Sequence, residues 1–249
     1  MPSRDEIRSI VELAGIDDFP VAYLQWRKLG TKISARQAAQ LMMTISDNTA
    51  TNMLIDYLGG KSKLNREFKK WGMRETKINN YLVDIEGTNV TCPYDQVFLM
   101  ARIDKGDVLN EESKAFMYAL MGHCKNRSML PQGIGAVDPA ADIIHKTGTI
   151  GIMVGDAGIV TTPSGKRLGI AIQVQRRRND SSASCLIRRM AAITYNQFEN
   201  DTMSIPESAF APKVRVSKHH PRHHIARSKH KVIHKLIASK SKKKKRRYA

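Results

Sequence analysis

Two short polar stretches, far apart in the chain, hold the side chains best suited to chemistry. Ser46-Asp47-Asn48 brings a hydroxyl, a carboxylate and an amide to a break between two helical patterns. Lys146-Thr147-Gly148 brings an ammonium and a hydroxyl to the start of a strand–turn–strand pattern. Each has a plain explanation alone. Ser, Asp and Asn before a helix are ordinary N-caps, and a Lys-Thr-Gly triplet recurs by chance. Together, in this order and in these contexts, they point to one site built from a helix break and a strand.

The elements that must position them follow from periodicity and punctuation. Ser34 caps a helix from about Ala35 to Ile45, with Ala38, Ala39, Leu41, Met42 and Ile45 at helical spacing. A second helix, about Thr49 to Leu58, carries Ala50, Met53 and Leu54 and stops at Gly59-Gly60. Lys61 to Trp71 reads as a third, and Met73 to Cys92 as a long loop. Pro93 opens a helix to about Asp104, since proline suits the first helical position. Asn110 caps another through about Met121. Gln132 to Ala141 is a Gly/Pro-containing connection, then come strands Ile143–Thr149, Met153–Thr162 and Arg167–Gln175, the last two joined by the turn Pro163-Ser164-Gly165-Lys166. Ser182 to Phe198 is a terminal helix. Ahead of all these, Ser3 and Glu6 form a capping box for a short helix to Leu13. Pro20 opens another to about Lys28, anchored by Val21, Leu24 and Trp26. Helices, then an antiparallel meander, then a helix packing back give an α+β fold: a helical subdomain plus an antiparallel sheet with a packed terminal helix.

The two triplets resemble the second and third motifs of the penicillin-recognising serine hydrolases, most closely the class A β-lactamases. The likeness extends over Ser46 through Leu58 (SDNTATNMLIDYL) and Ile144 through Val160 (IHKTGTIGIMVGDAGIV), and more loosely over residues 20–200. It implies hydrolysis of a β-lactam amide by acyl-enzyme chemistry without a cofactor or metal. By that resemblance Ser46 relays a proton to the leaving nitrogen, and Lys146 supplies positive charge beside it and attracts the substrate carboxylate. Asn48 donates to the carbonyl of the substrate's side-chain amide, and Thr147 bonds the carboxylate. Gly148 lets the backbone lie close to the ligand, and the N–H of Thr149 forms half of an oxyanion hole.

The chain departs from that pattern in two places. The family's nucleophile is a Ser with a Lys three residues on, ahead of the second motif. Upstream of Ser46 the serines are Ser3, Ser9 and Ser34, followed at that spacing by Glu6, Glu12 and Gln37. Phe19 to Leu24 looks like the continuation of the nucleophile helix, which puts Gly15 and Asp18 where the Ser and Lys belong. The general-base carboxylate belongs in the loop after Trp71, where Thr76 to Leu82 has none; Asp84 and Glu86 stand close by. The expectation is therefore an N-terminally truncated domain, inactive as it stands. The alternatives are a D-alanyl-D-alanine-directed peptidase relative acting on a peptidoglycan-like substrate, or a non-catalytic binding domain. Two strands implied by the resemblance would pair beside Arg167–Gln175, leaving that strand an unpaired edge in their absence.

Composition bounds the rest. The 249 residues are 41% hydrophobic, enough for one sizeable core. The net charge of +18 is uneven: residues 213–249 hold 15 Lys and Arg and no acid, leaving +3 for residues 1–212. The division is a domain over 1–205 and a basic His/Lys/Arg-rich tail over 206–249, too charged to order itself by apolar burial. That tail suits anionic polymers such as nucleic acid or cell wall. Cys92, Cys124 and Cys185 form no CxxC pair and read as small buried hydrophobes, with one disulfide left open. No apolar run reaches the ~18 residues of a membrane span. The start, Met1-Pro2-Ser3-Arg4-Asp5-Glu6, has no export signal, although the family is typically exported.

Overall fold

Helix α1 (Ala35–Ile45) begins at a reciprocal capping box: Gln37 N–H donates to Ser34 Oγ at 3.1 Å while Ser34 N–H donates to Gln37 Oε1 at 3.0 Å. The computed structural model describes residues 23–28 and 30–201. The helix expected at Ser3–Leu13, the positions Gly15, Asp18 and Val21, and the basic tail lie outside the described residues.

Helix α2 (Asn48–Tyr57) follows α1 after a two-residue break, and α3 (Gly60–Lys70) follows α2 at Gly59. The cluster Ala38, Ala39, Leu41, Ile45, Ala50, Leu54 and Leu120 packs α1 and α2 on α5 (Glu111–Gly122). Helix α4 (Pro93–Asp104) has Pro93 in its first turn and Cys92 as its cap, the thiol sulfur accepting Asp95 N–H at 3.4 Å. Cys92 is thus a capping residue, only half-buried, rather than a core hydrophobe; all three cysteines are free thiols and only Cys124 is fully buried. The segment expected to be helical to Lys28 is a single 3-10 turn, Leu24–Trp26. Leu24 is buried there, but Trp26 is 79% exposed and anchors nothing.

Strands β1 (Asp142–Ile150), β2 (Met153–Thr161) and β3 (Arg167–Gln175) pair antiparallel in the order β1-β2-β3. Ile143, Val160, Ile170 and Ile172 on one face pack against Ile187, Ala191 and Tyr195 of α7 (Ser182–Asn200). The connection expected over Gln132–Ala141 opens as a short helix, α6 (Leu130–Gly135), whose Leu130 and Ile134 join the same core. Its two glycines and proline hid it, because tertiary packing overrides their poor helix propensity. The opposite face carries α4, where Gln173 Nε2 donates to Gln96 Oε1 at 3.1 Å. Among the described residues, no strand pairs with the outer edge of β3. No helix among them is long and apolar enough to cross a membrane.

Candidate functional site

Helix α1 ends with Ser46 in the left-handed conformation, φ 58° and ψ 40°. A non-glycine residue there carries about 1–3 kcal/mol of strain, held in place by its surroundings. The surroundings are visible. Asp47, 2% exposed, accepts Ala50 N–H at 2.8 Å and so caps α2, and it accepts Leu24 N–H at 2.9 Å. The capping is done by Asp47 alone, which leaves Ser46 and Asn48 exposed on either side of it. The Asn48 amide makes no side-chain hydrogen bond to a described residue.

Strand β1 brings the second triplet to the first. Alternation places Ile144, Lys146 and Gly148 on one face and Ile143, His145 and Thr147 on the other. Lys146 Nζ donates to Ser46 Oγ and, at 2.7 Å, to the Thr147 carbonyl. An ammonium cannot accept, so the Ser46 oxygen is the acceptor and its own proton is free to point at a ligand. The backbone N–H of Lys125 donates to the Thr44 carbonyl at 2.9 Å, which ties the chain after α5 to the end of α1 beside Ser46. Burial pushes the Lys146 ammonium below the usual lysine range, against the upward pull of Cys124 and Asp156 nearby. Thr147 is buried, while Gly148 and Thr149 are exposed. A Cβ at Gly148 would meet nothing within 4 Å, so internal packing does not demand glycine there. The six expected residues thus occur in two groups, joined by the Lys146–Ser46 contact.

The loop after α3 supplies a further edge. Lys77 and Val90 form an antiparallel bridge, and Asn79 N–H and Asn80 N–H both donate to Asn89 Oδ1 at 2.8 Å. Asn52, four residues past Asn48 and on the same helical face, grips the Leu82 backbone: Leu82 N–H donates to Oδ1 at 2.9 Å and Nδ2 donates to Leu82 C=O. Asp84 is buried and turned into its own loop, accepting Asn89 N–H at 2.6 Å and Thr88 Oγ1–H at 2.8 Å. Asn89 N–H above all holds its carboxyl below the ordinary aspartate value. Asp84 is therefore a loop-closing acceptor, and Glu86 is exposed. Asn52 was missed in the sequence, although its spacing from Asn48 marks it. His145 and Asp156 were missed too; they lie behind Lys146.

A model of the Beta-lactamase enzyme family matches residues 20–198. The extended-spectrum β-lactamase PER-1 of Pseudomonas aeruginosa is 26% identical over 185 residues, 69% of this chain and 59% of that protein. The β-lactamase VEB-1 of the same organism is 21% identical over 191 residues, 69% and 62% respectively. The chain thus spans less than two thirds of these curated relatives. The solved structure of PBP-A is 43% identical with a TM-score of 0.70, covering 74% of this chain and 69% of that one. A mutant of PBP-A, similar to the same degree, was solved as an acyl-enzyme complex with penicillin G.

Proposed function

The chain belongs to the β-lactamase enzyme family, in its class A and penicillin-binding-like branch, and from that premise we propose that its Ser46–Lys146 site recognises β-lactams. The observation that carries this is the Lys146 ammonium bonded to Ser46 Oγ, which leaves the serine proton free. In this reading Lys146 and Thr147 take the ligand carboxylate, Asn48 its side-chain amide, and Thr149 N–H the lactam carbonyl over the bare backbone of Gly148. Ser46 passes a proton towards the ring nitrogen. Within these residues no Ser-x-x-Lys precedes Ser46.

A second reading is favoured by one observation. The backbone that Asn52 grips belongs to Leu82, and the neighbouring Asp84 is committed to Thr88 and Asn89. A loop whose buried carboxylate is already bonded offers no ready base for deacylating a β-lactam, which leaves room for a D-alanyl-D-alanine-directed relative.

Calorimetry with benzylpenicillin tests the first reading. Lys146→Ala should weaken binding about 10- to 100-fold, the equivalent of ~1.5–3 kcal/mol for one charge-assisted hydrogen bond. The pH sign also follows. A bound carboxylate favours protonated Lys146, so affinity is complete below the free-protein Lys146 pKa. It falls as pH rises through that pKa, which lies below the usual lysine value. Equal affinity of parent and variant, or none in the parent, defeats the reading. Binding of an acyl-D-alanyl-D-alanine peptide at the same site, lost in Lys146→Ala, supports the second.

A further inference from the structure

His145 precedes Lys146 on β1, so their side chains leave the strand on opposite faces. The imidazole is fully buried, and its Nδ1–H donates to the Asp156 carboxylate, 2.9 Å from Oδ1 and 3.1 Å from Oδ2. Asp156 stands opposite Thr147 in the β1–β2 register and is 2% exposed. Its Oδ2 also accepts Leu130 N–H at 3.0 Å, so one carboxylate joins β1, β2 and the first turn of α6. Room for the ring is made by Gly158, opposite His145: a Cβ there would lie 2.9 Å from His145 Cβ and 2.2 Å from the Ile144 carbonyl oxygen.

This arrangement is poor as a stabilising device. His145 Nε2 has no hydrogen-bond partner among the described residues. A buried polar atom left so is destabilising, a cost that an aliphatic residue would avoid. A buried polar pair is weak evidence for stability in any case. Its placement, one residue behind the ligand-facing ammonium, offers a different reason for it.

We propose that the His145–Asp156 pair is a positioning unit for Lys146, setting a fixed negative charge behind the ammonium that faces Ser46. This rests on the reading of Lys146 as the charged group of the ligand site. The groups around Lys146 are Ser46 Oγ from the α1–α2 break, the Thr147 carbonyl on its own strand, Cys124 after α5, and Asp156 from β2. Asp156 is in turn met by His145 from β1 and Leu130 N–H from α6. His145 and Leu130 orient the carboxylate, and the carboxylate keeps the lysine charged.

The test is 13C NMR titration of the full chain without ligand, following Lys146 Cε and the Asp156 carboxyl carbon. In the parent, the Asp156 resonance should show a step at the Lys146 midpoint. Asp156→Asn should lower that midpoint by about one pH unit, the low end for losing a nearby opposite charge. His145→Asn keeps an N–H near the place of Nδ1 and leaves the carboxylate intact, so the midpoint should stay close to the parent's. An unmoved midpoint in Asp156→Asn, no step in the parent, or an equal shift in His145→Asn overturns the inference. If Asp156→Asn does not fold, the parent's step decides. Failure to bind penicillin defeats the proposed function alone, and an unmoved lysine defeats this inference alone.

Discussion

Asn52 holds Leu82 by both polar ends of its amide, as acceptor from Leu82 N–H at 2.9 Å and as donor to Leu82 C=O. The pairing spans 30 residues and ties the loop over residues 77–90 to helix α2, on the face that carries Asn48. The loop also bonds within itself through Asn79, Asp84 and Asn89, and to the neighbouring helices through Asn65 with Ile78, Lys61 with Asn79 and Tyr81 with Asp56. Asn52 is therefore the clamp at the Leu82 end of the loop, as Asn65 is at Ile78.

Replacing Asn52 with Ala should free the loop without unfolding the domain. Two hydrogen bonds of about 0.5–1.5 kcal/mol each disappear, so local opening becomes easier by ~1–3 kcal/mol. Amide hydrogen exchange around Leu82 should accelerate roughly 10- to 100-fold, with Ile78 (held by Asn65), β2 and α1 unchanged. Equal protection in parent and variant would show that the loop docks by other contacts.

Asp95 gives a stability prediction with a definite pH sign. It is fully buried in the first turn of α4 and accepts Arg74 N–H at 3.1 Å, Glu75 N–H at 2.8 Å and Thr76 Oγ1–H at 2.8 Å. Burial alone would raise its pKa, but these donors outweigh it and hold the carboxyl below the usual aspartate value. A depressed native pKa contributes stability in full above the unfolded value of about 3.9, and loses it as pH falls through the native value. Asp95→Asn should cost about 1–3 kcal/mol at pH 7, and the gap to the parent should close towards pH 2. Urea midpoints at both pH values check this; a gap that is constant with pH means the charge is not what stabilises the turn.

Much of this was legible in the sequence because local rules and the fold agree there. The Ser34 cap with Gln37 marks the start of α1, Pro93 that of α4, and the alternation in Arg167–Gln175 gives β3 its observed bounds. Where local rules conflict with packing, the reading failed. Leu130–Gly135 has poor helix formers, yet Leu130 and Ile134 are wholly buried. Trp26 looks like an anchor but faces solvent. The triplets were visible as motifs, but the partners that orient them are long-range. Asn52 meets Leu82, and His145 meets Asp156, through pairings no local pattern shows.

The basic tail should govern polyanion binding. Residues 213–249 hold 15 Lys and Arg, against +3 for the rest of the chain. Deleting them should shift elution from heparin to much lower salt, and full-chain affinity for DNA should fall steeply with ionic strength through counterion release. Elution at the same salt after deletion would place the binding charge on the folded domain instead.

The last prediction concerns turnover. Opening a β-lactam needs a hydroxyl activated by a base within hydrogen-bond reach. Among the described residues, Ser46 is bonded to Lys146, and its oxygen accepts from the ammonium, which withdraws electron density and offers no base. Lys146 becomes a base only at pH above its pKa, where its hold on the ligand carboxylate is lost. Hydrolysis of an acyl-enzyme would need a second base, yet Asp84 is occupied by Thr88 and Asn89. Incubation with benzylpenicillin should therefore give no stoichiometric covalent adduct on residues 1–212 by mass spectrometry. Chromogenic cephalosporin should not be consumed faster than in buffer. An adduct on any serine of that range, or turnover above buffer that is lost in Ser46→Ala, would overturn this expectation, and only an adduct on Ser46 itself would make Ser46 the nucleophile.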